Sequence, residues 1–248
     1  MRLCGLRCIL DTSHCRTATE LMSKSSFSSL IFSDSSLPPQ VAALMEAIEI
    51  DIIRSRILPR NRLIEDHLME DYSAKRHVVR AALAELQRLG VVVKPPHLGA
   101  ELRRYDAQGL ADLYHMRSVL HQAAVAMMPM PPSQARLAAV VQAMDAHVTA
   151  AQSGDLIAIH RSNMNFHREL YGLCDNPYLA ESIRLHDWLS FPVRAYGVAD
   201  AQALTQACQE HADMVQALRD GDREALAALS LGHMSRARAI YEEKFLSR

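Results

Sequence analysis

Aromatic side chains are scarce in this 248-residue chain: one Trp, seven Tyr and five Phe, 5% in all. Ala, Leu, Arg and Met are plentiful instead, a mixture that favours helix. No apolar run reaches the roughly 18 residues a membrane span needs, so no membrane role is expected. Cysteine is limited to Cys4, Cys8, Cys15, Cys174 and Cys208. An odd count at irregular spacing is a poor disulfide framework and points to a reducing cytoplasm. Cys4, Cys8, His14 and Cys15 match no standard zinc spacing, so chance composition is the better account. Net charge is −1, which gives no sign of a nucleic-acid partner. Its distribution is uneven: residues 37–105 carry 11 Lys/Arg against 9 Asp/Glu, and residues 106–248 carry 12 against 16.

The first ten residues, MRLCGLRCIL, are too short and too broken by Arg and Gly for a signal peptide. Residues 23–36, SKSSFSSLIFSDSS, are Ser-rich without a helical period. A disordered tail over 1–36 is expected, with Met22 as an alternative start.

From Leu37 the pattern sharpens. Val41, Leu44, Met45, Ile48, Ile52 and Ile53 recur at three- and four-residue steps, the spacing of an amphipathic helix that stops near Leu58-Pro59. A short helix with Leu63, Ile64, Leu68 and Met69 follows. Ser73 is placed to cap a third helix. Its stripe is Val78, Val79, Ala82, Leu83, Leu86 and Leu89, and Gly90 ends it. Val91 to Val93, then Pro95, Pro96 and Gly99, then Ala100 to Leu102 read as a hairpin. Three helices and a hairpin make a winged helix-turn-helix over 37–105. Beyond it the pattern is all helical. Helices are expected near 106–128, 133–152, 155–174, 177–196, 200–220 and 222–245, joined by short breaks into an antiparallel bundle. The fold class is therefore mainly α, a winged helix-turn-helix followed by an all-α bundle over 106–248.

In a helix-turn-helix the second helix enters the major groove, its first residues facing the bases. Those residues are Lys75, Arg76, His77 and Arg80. Arg76 and Arg80 share one face opposite the apolar stripe, and Arg suits guanine O6/N7 or phosphate. His97 and Gly99 occupy the wing tip. Taken alone these cations are a solvated helix face; the order of elements around them favours DNA contact.

The segment LIEDHL…AKRHVVRAALAELQRLGVVVKPPHLGAEL resembles the winged helix of the GntR family of bacterial transcription regulators. Glu65, Arg76, Val79, Arg80, Ala82, Leu83, Leu86, Gly90 and Gly99 fall on the family pattern. The chain departs from it at Lys75, where Ser or Thr is usual, at His77 (Thr), Val78 (Pro) and Arg60 (Gly). Those departures alter the hydrogen-bond donors offered to an operator.

Asn163 and His167 in NMNFHREL share a helix face, either a wet polar pair or half of a metal site. His211 lies ten residues before Gly221 and His233 twelve after it, so an antiparallel pair sets them at one height. His167 stands at a comparable distance from the turn at Asn176. Three imidazoles and an oxygen suit Zn²⁺ and other first-row divalent ions; each His by itself is more often an ordinary surface or core residue.

DLYHMRSVL, NMNFHREL, DNPYL and EHADMVQALRDGDREAL…H resemble the effector domain of the FadR-type (FCD) branch of that family. The resemblance implies a metal held by Asn163, His167, His211 and His233, with Asn163 where Asp is usual. Zinc is the first expectation and nickel or manganese the alternatives; metal-free members exist too. It also implies that Arg117 meets a small carboxylate effector, although His121 stands where Glu is usual. Glu169, Arg161 and Arg194 are further pocket candidates, and His160 an outer or surface residue. The expected protein is a cytoplasmic homodimer on a near-palindromic double-stranded DNA operator, a repressor relieved by effector and not an enzyme. The rival is a metal-dependent hydrolase or lyase using the three-His site, against which stands the lack of an HExxH motif.

Overall fold

A computed structural model describes residues 37–96 and 99–247. The expected tail over 1–36, its cysteines and His97 lie outside the described residues.

Helix α1 spans Pro39–Ile53 and buries Val41, Leu44, Met45, Ile48, Ile52 and Ile53. It ends five residues before Leu58, not at the proline. Ser55 takes a left-handed φ of 59°, and the Ser55 and Arg56 N–H groups return to the Ile52 and Asp51 carbonyls, a Schellman stop. Helix α2 (Glu65–Asp71) buries Leu68, while Ile64 just before it points outward. Helix α3 (Arg76–Arg88) buries the expected stripe. Its cap is Lys75, without a side-chain bond. Ser73 does not cap it, because its φ of 50° lies outside the extended region an N-cap needs. Strands β1 (Val92–Val93) and β2 (Glu101–Leu102) pair antiparallel, Val92 opposite Leu102. Arg62 adds a bridge to Glu101 that the hairpin reading did not include.

The helical part comprises α4 (Ala107–Met127), α5 (Gln134–Ser153), α6 (Leu156–Gly172), α7 (Pro177–Leu189), α8 (Phe191–Val198), α9 (Ala201–Asp220) and α10 (Arg223–Phe245). Local chemistry sets most of these ends. Asp106, Asp155, Asn176, Asp200 and Asp222 each accept a backbone N–H of the first turn, satisfying donors that have no partner within the helix. Gly154 and Gly221 close α5 and α9 in the left-handed region. The single helix expected over 177–196 is two, split at Ser190. Pro192 has no N–H to give the Trp188 carbonyl, and its ring crowds that position.

The winged helix is not free of the bundle. Its core continues into Trp188, Phe191 and Ala195 of α7 and α8. Gly90 is fitted against Leu189 so closely that a Cβ would stand 2.4 Å from its Cδ2. A second core runs through α4, α5, α6, α9 and α10 around Phe166, Leu170 and Met214, and it carries the histidines.

Candidate metal and effector site and nucleic-acid face

Lys75, Arg76, His77 and Arg80 are all exposed at the start of α3, and Gly99 is exposed on the wing. The arginines are held in place by the preceding helix. Arg76 Nη2 lies 2.7 Å from Asp66 Oδ1, and Arg80 Nε donates to Glu65 Oε2 at 2.8 Å. Exposed pairs of this kind are worth at most about 1 kcal/mol, so phosphate can displace the carboxylates at little cost. They orient the guanidinium groups in the free protein.

The three histidines named from the sequence converge. Ligand atoms of His167 (α6), His211 (α9) and His233 (α10) lie within 4.8 Å of one another. His233 Nε2 is 3.2 Å from His167 Nε2. On the far side of its ring, His233 Nδ1 donates to Glu210 Oε2 at 2.7 Å, and Arg236 donates to Glu210 Oε1 at 2.6 Å. Burial opposes the Glu210 charge, but hydrogen bonds from His233 and Arg236 outweigh it and hold its pKa at about 2. His211 is completely buried and stacked on Phe166, centroids 3.9 Å apart.

Burial first, then the neighbouring His233, holds His167 and His211 well below the usual imidazole range. Both are therefore neutral, the form that binds metals. His167 Nδ1 and both His211 nitrogens are buried without a hydrogen-bond partner. An unpartnered buried polar atom costs about 1–3 kcal/mol, and a shared cation is one way to recover it. The donor set thus fits a divalent metal.

Asn163 lines the cavity next to this cluster, with His167, His233, Arg117 and Arg194. The cavity encloses about 90 Å³, and no Asp or Glu is among its lining residues. Arg117 is buried, as a pocket residue should be, but its charge is already met. Its Nη2 lies 3.0 Å from Asp187 Oδ1, and its Nη1 donates to Ser190 Oγ and to the His186 carbonyl. Arg194 donates to Ser190 Oγ at 3.1 Å and to the Asp187 carbonyl at 2.9 Å, with no carboxylate paired to it among the described residues. Arg194 is thus the better-placed anion anchor, a ranking the sequence did not supply.

The remaining candidates separate. Glu169 faces Arg168 and does not line the cavity. Arg161 leaves the pocket for Glu49 of α1, at 2.9 Å. His160 is neither at the surface nor beside the cluster. It is buried between Trp188 and Phe191, 3.9 Å from Glu49 Oε2. His121 is buried against Tyr171. Sequence reasoning missed His147 altogether. It lines the same cavity from α5, its ring 5.0 Å from that of His211. The signal was present: His147 lies seven residues before Gly154 and Ser162 eight after it. The turn arithmetic that paired His211 with His233 would have found it.

Residues 40–100 match the family model of bacterial regulatory proteins, gntR family, and residues 112–236 match the FCD domain. The chain is similar to the Nta operon transcriptional regulator of Aminobacter aminovorans, 26% identical over 180 residues, covering 72% of this chain and 83% of that protein. Two solved structures share the fold. One is E. coli McbR/YncC, at TM-score 0.63 and 19% identity, covering 84% of this chain and all of the other. The second is a putative transcriptional regulator GntR from Rhodococcus sp. RHA1, at TM-score 0.64 and 20% identity, with 84% of this chain and 100% of that one covered. No described helix is long and apolar enough to cross a membrane.

Proposed function

Because this chain belongs to the GntR family of bacterial regulatory proteins, with an FCD domain behind its DNA-binding module, we propose that it is a homodimeric repressor released from its operator by a small carboxylate bound on a divalent metal. The observation that carries this reading is the cavity beside the three histidines. It offers the Arg194 guanidinium, which no carboxylate pairs with among the described residues, and no carboxylate lines it, which suits an anion and not a general base.

His167, His211 and His233 would hold the metal, with Asn163 contributing its carboxamide oxygen. Zinc fits this nitrogen-rich set first. The ion would supply a fixed positive charge and an open position for one carboxylate oxygen. Arg194 would pair with the other. A cavity of this size has room for on the order of six water-sized groups, which matches an acid of a few carbons.

Helix α6 connects the two ends. Asn163 and His167 face the cavity, while Arg161 on the same helix reaches Glu49 of the winged helix. A ligand that shifts α6 therefore acts on the DNA-binding module through a half-buried contact. Typical coupling of about 1–3 kcal/mol would lower operator affinity roughly 5- to 150-fold. Two modules in the dimer would read half-sites about one helical turn apart, with Lys75, Arg76, His77, Arg80, Gly99 and His97 at the DNA.

The test is fluorescence anisotropy with the duplex flanking the protein's own gene, across a salt series, with zinc and a panel of two- to six-carbon acids. Binding should weaken steeply with salt. One acid should release it from the native protein but not from Arg194→Ala. Absent or salt-insensitive binding would favour the hydrolase or lyase reading instead.

A further inference from the structure

We propose that His147 is a fourth nitrogen ligand of the same cation, supplying from α5 the strong donor that Asn163 no longer provides. The proposal rests on the metal reading above and deepens it.

His147 is 1% exposed. Its Nδ1 lies 3.1 Å from Ser162 Oγ. The Ser162 hydroxyl proton is already committed, since Ser162 Oγ donates to the Ala158 carbonyl at 2.7 Å and reaches that of Ile159 at 3.1 Å. Nδ1 must therefore be the donor in the His147–Ser162 bond. A neutral imidazole carries one N–H, so the lone pair sits on Nε2. That atom is buried and has no partner. His233 is arranged in the same way, with Nδ1 tied to Glu210 and Nε2 turned to the cluster. One nitrogen anchored to an oxygen and the other left bare is how metal-bound histidines are held.

The spacing agrees. The His211 ring centroid stands 5.0 Å from His147, 5.2 Å from His167 and 4.8 Å from His233. Imidazoles bound to one ion at a metal–nitrogen distance of about 2.0–2.1 Å have centroids on the order of 5 Å apart. His211 thus has one ring each from α5, α6 and α10 at that spacing. Imidazole binds a metal as a neutral ligand, so the ion keeps its full charge toward an anionic effector. Four nitrogens beside the weak Asn163 oxygen also favour zinc, cobalt, nickel or copper over manganese and magnesium, which prefer oxygen.

The probe is Co²⁺ alone, added to metal-free full-length protein. Each cobalt-bound imidazole contributes one exchangeable N–H resonance shifted far downfield in proton NMR. Four such signals are expected from the native protein, one of which disappears in His147→Gln. Chelator competition should show at least a 30-fold loss of affinity in His147→Gln and less than a threefold change in Asn163→Ala. Affinity loss alone would also follow from an indirect role, so the signal count in the native protein decides and does not depend on the variant folding. Three signals, all retained in His147→Gln, would overturn the proposal while leaving the three-His site standing. Failure of the native protein to bind Co²⁺ at all would overturn both.

Discussion

His233 and His167 meet Nε2 to Nε2 at 3.2 Å across the gap between α10 and α6. Two imidazole rings can face each other so closely when one donates to the other, or when both turn lone pairs to a cation. Glu210 selects the second arrangement on metal binding, because its carboxylate accepts from His233 Nδ1–H and fixes the lone pair on Nε2. Glu210→Gln weakens this control without removing a ligand. It should lower zinc affinity about 10- to 100-fold, the usual cost of losing such a partner. Zinc competition against a chromophoric chelator measures it; unchanged affinity would mean that His233 is not a ligand.

Asn163 gives the converse case. It lines the cavity four residues before His167, where its neutral oxygen is a weaker donor than a carboxylate. Asn163→Asp should tighten zinc by about tenfold or more. It should also weaken the acid effector, because the site charge falls from +2 to +1. Paired calorimetric titrations with zinc and with the acid identified in the DNA assay would show opposite changes. A variant that holds zinc no tighter removes the argument.

These histidines show how far local pattern carries. Asp106, Asp155, Asn176, Asp200 and Asp222 announce helix starts in the sequence and cap them in the structure. Turns at known positions then fix relative heights, which is why His211 and His233 could be paired. Orientation about the helix axis is set by packing, so the Arg117–Asp187 pair and the departure of Arg161 toward Glu49 had no local signature. The break at Ser190 is marked in the sequence by Pro192, while the apolar period continues through it and masks the stop. Ser73 looked like a cap by residue type, yet its left-handed backbone excludes it.

On the DNA side, Arg76 and Arg80 have different neighbours but one expectation. Each is exposed and held by an acidic residue of α2. Replacement by Ala should cost about 1–3 kcal/mol of operator binding. A residue that meets phosphate will also reduce the salt slope by about one, whereas one that reads a base will relax preference at a single position. Salt-dependent titrations on operator variants distinguish the two. Native affinity in the double variant would remove α3 from the groove.

Arg60 tests the backbone. Its φ of 71° is left-handed, a conformation costing a non-glycine residue about 1–2 kcal/mol. Glycine, usual at this position in related winged helices, removes that strain but loses about 0.5–1 kcal/mol of chain entropy. Arg60→Gly should therefore stabilise the fold by about 0.5–1 kcal/mol in urea unfolding, and a lowered midpoint would contradict the argument.

Glu49 gives a pH dependence with a definite sign. Burial is the main cause that raises its pKa from 4.5 to about 7, opposed by Arg161 and aided by Glu46. Between those values the folded protein holds a proton that the unfolded chain has lost. Its contribution to stability is greatest below about pH 4.5 and declines as pH rises to about 7, by roughly 3 kcal/mol. The buried histidines act oppositely. Burial depresses His121, His160, His167 and His211, and brings His147 to about 4. Below about pH 6.5 the unfolded chain takes up protons first and stability falls. The two slopes overlap, so the metal-free native protein alone does not separate them. Glu49→Gln does: it has no proton to lose and leaves the histidines in place. Its stability relative to the native protein should rise by about 2–3 kcal/mol between pH 4.5 and pH 8 in parallel denaturant melts. A difference that stays flat across that range would mean that Glu49 ionises freely in the fold, and that the contact between α1 and α6 is an ordinary solvated ion pair.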